Sequence, residues 1–541
     1  MSVRLYVLWS ALAIVLVGCG PQETPVERAN RDGILLRANG AEPAALDPHL
    51  VTGITEHNIL TALLEGLVRP EPKTLAPQPA VAERWEISED GRVYTFHLRD
   101  DARWSNGDPV KASDFVFSYQ RMLSANLAAD YASLLYPMEN AEAFHRGDIK
   151  DFAQVGAKAI DDRTLEITLT EPTPYFLSLL THYTWYPVHP ETILKHGAID
   201  QRISRWTRPG NYVGNGPFTL ETWNVHELID VEKNPLYWGA ENVALNGIRF
   251  LPIDNINTEE RAFRAGQVHI TNSIPLPKIE TYREESSDSF LLSPYLGTYY
   301  FAVNVEKPPL DDPKVRQALS LAINRQSLTE NVLKAGQIPA YYFTPPDTAG
   351  YTAKATITSG DYETDLQKAK QLLAEAGYPN GEGIPKIDLL YNTSESHKTV
   401  AEAIQRMWIA GLGVEVSLVN EDWKVYLQSR REGSFDIARA GWIGDYVDPS
   451  TFLDLMSSWS GNNHSRWSNE DYDALIRRAA AAKDHDERMQ IFQEAETILL
   501  EELPVIPIYF YVSAYLVNPS VKGWYPNILD QHPYQDIKLS Q

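Results

Sequence analysis

Phe435-Asp436-Ile437-Ala438-Arg439-Ala440-Gly441-Trp442-Ile443-Gly444-Asp445-Tyr446-Val447-Asp448-Pro449 is the most informative stretch of the chain. An apolar strand runs into a Gly-flanked loop that carries two aspartates and two aromatic residues. Asp448 precedes Pro449 and an apolar run of Phe452, Leu453, Leu455 and Met456. That order reads as a helix N-cap with Pro at the first helical position, which gives Asp448 a structural task. Asp445 lies between Gly444 and Tyr446 in the loop itself and has no such task. It is either a solvated loop acid or a functional carboxylate.

Outward from this loop, short strands and amphipathic helices are mixed along the whole chain. Alternation marks strands at 93–99 and 163–170, and helical periodicity marks 111–123, 313–324, 365–376, 469–482 and 484–502. An apolar strand follows at 505–517. Such mixing predicts an α/β fold rather than a bundle or a sandwich. With 541 residues a single core is not expected, and roughly two to four domains are. No long linker separates them, so short hinge crossings are expected.

Acidic residues outnumber basic ones 72 to 48, for a formal charge of −24. A chain of that charge repels phosphate backbones, and no dense Lys/Arg cluster offsets it, so nucleic acid is excluded as a partner. The one cysteine, Cys19, excludes disulfide frameworks and thiolate zinc sites. It ends a segment in which Arg4 precedes an apolar run from Leu5 to Val17 and then Gly18, the pattern of a secretory signal. Leu16-Val17-Gly18-Cys19 resembles a bacterial lipobox, in which cleavage leaves a lipidated cysteine at the N-terminus; the alternative is an ordinary signal that contains a Cys. Residues 1–18 are thus expected as a lipoprotein signal peptide and 19–33, polar with two prolines, as a flexible tether. A location at the cell envelope follows, lipid-anchored to the membrane on its periplasmic side.

No Walker loop, G-x-S-x-G elbow, H-E-x-x-H or complete G-x-G-x-x-G occurs in the chain. Gly214-Asn215-Gly216-Pro217 is Gly-rich, but Pro217 removes a donor that a phosphate cradle needs, so it reads as a turn before a strand. The 13 histidines are scattered without metal-ligand spacing. No cofactor is implied.

The run from Arg439 to Tyr446 resembles the ligand loop of oligopeptide-binding proteins, the extracytoplasmic family 5 solute-binding receptors of ABC-type peptide importers. Ala45-Leu46-Asp47-Pro48-His49, Leu64-Glu65-Gly66-Leu67, Trp104-Ser105-Asn106-Gly107-Asp108-Pro109, the stretch from Val213 to Phe218, that from Asn234 to Trp238 and that from Asp312 to Leu319 carry the resemblance along nearly the whole mature chain. It implies a large periplasmic-binding-protein fold, two jaw-like lobes with an extra third subdomain and a hinge of two crossings. The implied division is lobe I at 34–64, 191–296 and 510–541, an accessory subdomain at 65–190, and lobe II at 297–509.

The same resemblance implies the site. Asp445 would pair with a peptide's α-ammonium. Gly53 and Ile54 on one side, with Ala440, Gly441, Trp442 and Ile443 on the other, would supply main-chain edges for the peptide backbone. Trp423 and Tyr131 would line side-chain pockets, or else belong to ordinary core packing. His397 and Arg439 would receive the C-terminal carboxylate, with Arg439 in a structural ion pair as the alternative. The first turn of a helix around His397 favours an anion independently. Keeping both cations resembles the oligopeptide branch more than strict dipeptide receptors. The implied partners are short peptides, the transmembrane subunits of an ABC-type permease and, through lipidated Cys19, the membrane. The receptor is expected to be a monomer and not an enzyme.

Other functions compete. The same scaffold could take nickel chelates, haem, murein peptides or glutathione. A secreted glycosidase or peptidase would use acids beside Trp442 and Trp467. A chaperone or adhesin role is compatible with peptide binding.

Overall fold

The computed structural model describes residues 23–285, 288–346, 348–354 and 357–540. Cys19 and the signal segment lie outside the described residues. None of the described helices is long and apolar enough to cross a membrane.

Two long strands, Phe290–Val303 and Val505–Leu516, pair antiparallel and organise the molecule. One half of each belongs to a six-stranded sheet ordered Ile338–Pro339, Val505–Leu516, Phe290–Val303, Ile437–Ile443, Ile387–Asn392, Val416–Glu421. Side-chain alternation sends Tyr299, Phe301 and Val303 into one apolar layer and Tyr300 and Ala302 into another. Helices Pro313–Leu321, Tyr362–Glu375 and Glu395–Leu412 cover the first face, and Glu470–Ala481 and His485–Glu502 cover the second. The sheet is therefore buried on both sides and forms lobe II.

Between the two halves the register shifts. Pro294 faces Val512 and Thr298 faces Phe510, so Tyr295, Leu296 and Gly297 stand opposite Tyr511 alone. Such a bulge bends and twists the pair. Beyond it, Val517 bridges to Ile270, which bridges to Arg37. The crossing thus runs into the sheet of lobe I, ordered Ile34–Ala38, Gly247–Leu251, Leu228–Lys233, Phe218–Asn224. An all-antiparallel sheet of Ala82–Ile87, Val93–Leu98, Thr164–Thr168 and Ala157–Asp161 forms the accessory subdomain. One continuous apolar core holds Leu35, Val231 and Ile248 of lobe I together with Phe96, Phe115 and Ile167 of the accessory subdomain. These two parts consequently form a single jaw.

The sequence motifs mostly act as clamps inside that jaw. The Asp47 carboxylate takes both Nη atoms of Arg121 (3.0 and 2.6 Å), with both side chains buried. Buried Glu65 accepts from Tyr237 Oη at 2.5 Å and Trp238 Nε1 at 2.6 Å. The Asn215 amide brackets the Glu65 backbone, donating at 2.8 Å and accepting at 3.0 Å. Gly216 is required there, since a Cβ would stand 2.5 Å from the Leu63 carbonyl carbon.

Helix boundaries shift where caps decide them. The helix expected from 365 begins at Tyr362, because Asp361 accepts the Thr364 N–H. The helix containing His397 continues to Leu412 and ends on Gly413 at φ 72°. The expected tether at 19–33 needs correcting. Pro25–Asp32 is a helix, closed by a capping box between Thr24 and Glu27 and by left-handed Gly33, with Val26 and Ala29 packed on Leu36. The apolar run after Pro449 is not one helix either. It forms Ser450–Leu453 and then a tighter turn, Asp454–Met456.

Candidate ligand-binding cleft

Strand Ile437–Ile443 positions the site. Its partner on one side is Phe290–Val303, paired from Val303↔Ile437 to Gly297↔Ile443. On the other side Ile387–Asn392 pairs with it only at Leu389↔Ile437 and Leu390↔Ala438 and then diverges. From Ala440 to Ile443 that side has no strand neighbour among the described residues, which leaves main-chain groups open for an added strand. Gly441 belongs there sterically, because a Cβ would lie 2.4 Å from Tyr511 Oη.

The loop after this strand separates its two aspartates by task. Asp448 accepts from Ser450 N at 3.0 Å, and its carboxylate pairs with both Nη atoms of Arg488 at 2.7 and 2.8 Å, in a contact where both side chains are buried. Asp445 is also buried, 7% exposed, yet no Lys or Arg pairs with it among the described residues. Its Oδ1 accepts from Tyr131 Oη at 3.1 Å and lies 3.3 Å from His182 Nε2; its Oδ2 accepts from Thr451 Oγ1 at 3.4 Å. Tyr131 is 314 residues away in sequence and belongs to the opposite jaw. Burial, and then the Asp445 charge, push the Tyr131 phenol well above its ordinary value, so it remains a donor. Trp442 packs on Tyr131 at 5.8 Å between ring centres, and its buried Nε1 has no hydrogen-bond partner.

Gly53 and Ile54 do not form a strand edge. Gly53 is the N-cap of helix Ile54–Leu63 and Ile54 its first residue. Gly53 faces Trp423 across the cleft, where a Cβ would come within 3.0 Å of the indole. Trp423 opens helix Trp423–Glu432, and its Nε1 lies 3.4 Å from Glu56 Oε1. Burial raises the Glu56 carboxyl above its ordinary range.

Arg439 and His397 meet around Tyr299, away from Asp445 along the strand. The Arg439 guanidinium lies 4.8 Å over the Tyr299 ring and donates to Asn392 Oδ1 at 3.2 Å and Tyr511 Oη at 2.8 Å. Its Nε is buried without a partner, and no carboxylate pairs with it among the described residues. His397 stands 5.7 Å from Tyr299 between ring centres, with Nδ1 buried and unpartnered. Burial and the nearby Arg439 push its imidazole well below its ordinary value, so Arg439 supplies the positive charge at this end.

Contacts between the jaws surround the cleft. Tyr175 stacks on Tyr446 at 4.9 Å and 4°. Arg477 binds both oxygens of Glu142 at 2.9 and 3.0 Å, and Arg431 pairs with Asp130. Trp467, by contrast, is a core residue, packed on Tyr472 and donating Nε1 to Glu502 at 2.6 Å.

The sequence pattern does not single out His182, Thr451 and Glu56 at one end or Tyr299, Asn392 and Tyr511 at the other. The tyrosines lie in strands whose apolar pattern reads as core, and His182 sits in a stretch with no helical or strand period.

Residues 76–464 match the bacterial extracellular solute-binding proteins, family 5 (middle region), and the chain belongs to that family. The periplasmic oligopeptide-binding protein OppA of Escherichia coli (strain K12) is 40% identical over 498 residues, 91% of this chain and 89% of its own. The crystal structure of Haemophilus influenzae OppA in complex with RPPGFSPFR superposes with a TM-score of 0.90 at 37% identity, over 94% of this chain and 99% of the other. The E. coli murein tripeptide binding protein MppA superposes at 0.89 with 38% identity, over 94% and 98%. MppA in its unliganded open form reaches only 0.63 at the same 38%, over 94% and 97%. Equal identity with a lower score places the difference in how the jaws sit, and this structure has the closed arrangement.

Proposed function

We propose that this protein is an extracytoplasmic receptor for short oligopeptides, lipid-anchored through Cys19, which closes two lobes on the peptide and delivers it to an ABC-type permease. The observation that carries the proposal is Asp445: a buried carboxylate with no Lys or Arg beside it among the described residues, at the end of an open strand edge. A buried charge without a countercharge is costly, and a peptide ammonium removes that cost. Ala440–Ile443 offers the backbone its ladder, and Arg439 offers a cation to the far carboxylate. Arg439 and Ile443 are four strand rises apart, roughly 13 Å at about 3.3 Å per residue, the span of a peptide of about four residues. Longer or shorter peptides would meet His397 or water instead.

The similarity to both peptide receptors above supports a periplasmic peptide ligand. Binding needs no bond cleavage, so the protein acts as a carrier and not an enzyme. Murein peptides satisfy the same anchors, and the similarity to MppA keeps them as the second ligand class.

Native mass spectrometry of freshly purified protein lacking residues 1–19, with sequencing of what denaturation releases, tests the proposal. A pool of short linear peptides is the expected result. Peptides containing D-residues and diaminopimelate would select the murein class. A single non-peptide species would overturn both.

A further inference from the structure

Asp445 belongs to lobe II, but two of its three side-chain neighbours, Tyr131 and His182, come from the other jaw. His182 is 3% exposed and lies at the start of a short helical turn, Tyr183–Trp185. Its Nδ1 accepts the Thr184 N–H at 3.4 Å and faces Thr184 Oγ1 at 3.0 Å. A backbone N–H cannot turn away, so Nδ1 is the acceptor and the ring proton sits on Nε2, aimed at Asp445 Oδ1.

The other groups facing this imidazole carry no positive charge. Tyr131 packs at 5.0 Å and Tyr183 at 4.1 Å between ring centres, with both phenols raised well above their ordinary value by burial. His57, from helix Ile54–Leu63, is held neutral by burial at about 3. Glu56 on the same helix acts on the Tyr183 hydroxyl. The carboxylate in contact with it is that of Asp445.

We propose that His182 is a positioning residue for ligand capture: its Nε2–H, held in place by the Thr184 backbone N–H at Nδ1, aims the Asp445 carboxylate from the opposite lobe. This rests on Asp445 receiving an ammonium. An N–H donor from the opposite lobe fixes the orientation of the carboxylate and joins the jaws through the anchor.

The test is calorimetric titration of the soluble chain with tri-, tetra- and penta-alanine and their N-acetylated forms at pH 7.5. His182→Gln keeps an N–H donor, so it should bind the free peptides within about threefold of wild type. His182→Ala should bind them about tenfold to a hundredfold more weakly, the loss of a hydrogen bond to a carboxylate, and should match wild type on the N-acetylated peptides. Failure of His182→Gln to restore what His182→Ala loses, or an equal loss on free and N-acetylated peptides, overturns the proposal. Wild-type affinity in His182→Ala removes the role of His182 and leaves the receptor standing. Wild type that binds none of the peptides removes the receptor, and this role with it.

Discussion

The two ends of the cleft are built on different plans. At the Asp445 end, the carboxylate comes from one jaw and its Tyr131 and His182 neighbours from the other, so the anchor is complete only when the jaws close. At the Arg439 end, Asn392 and Tyr299 belong to lobe II and Tyr511 stands at the bulge where the crossing leaves it, and Arg439 Nε, His397 Nδ1 and Tyr299 Oη have no hydrogen-bond partner among the described residues. A saturated, cross-jaw anchor fixes one position in space. A half-satisfied, single-jaw cluster tolerates a carboxylate arriving at different depths. On the proposed reading, one end sets the register of a ligand and the other accommodates its length.

Asp445→Asn tests the fixed end most severely. It should weaken peptide binding by about 3–5 kcal/mol, since an ammonium enclosed in the cleft loses its countercharge. N-acetylated peptide on wild type should lose a similar amount and should lose nothing further on the variant. Calorimetry of that four-way cycle checks the pairing, and additive losses would sever the ammonium from Asp445.

Asp448→Asn makes the complementary change three residues away. Its pairing with Arg488 is buried, so the variant should cost about 3 kcal/mol of folding stability, read by chemical denaturation, while peptide affinity of the folded fraction stays unchanged. A loss of affinity instead would erase the division of labour in this loop.

Arg439→Gln addresses the adaptable end. An expected loss of about 1.5–3 kcal/mol should fall on peptides with a free C-terminal carboxylate and spare their amides. It should also differ among tri-, tetra- and pentapeptides. Equal losses at every length would mean that this end, too, sets a fixed register.

Arg477→Gln should have the smallest effect. Its bidentate contact with Glu142 joins the jaws at the surface, with the side chains 49% and 25% exposed. Screening limits such a pair to about 0.2–1 kcal/mol, visible as a slight shift towards open forms in solution scattering and abolished by high salt.

Legibility in the sequence followed locality. The helices at Ala112–Met122, Pro313–Leu321 and His485–Glu502 carry their own periodicity and caps, and their positions were readable to within a few residues. The capping box at Thr24 and Glu27 was equally readable, and it outweighs the polar, Pro-containing composition that suggested a tether. Gly53 misleads for the opposite reason. Its neighbourhood carries no strand period, and its role as N-cap became visible only with the helix that follows.

By itself, the sequence determined the mixed α/β class, the absence of a disulfide framework, the separation of Asp445 from Asp448, and, through motifs spread along the chain, the family. Those properties depend on residue type, on neighbours within a few positions, or on order along the chain. Tertiary structure alone decided which side chains meet Asp445, that Arg439 stands without a carboxylate among the described residues, and that burial holds His397 neutral. Each depends on burial and on partners hundreds of residues away, as with Tyr131 and Asp445 at a separation of 314. Charge in a folded protein is governed by what surrounds it in space, and the cleft is where two distant parts of the chain supply those surroundings together.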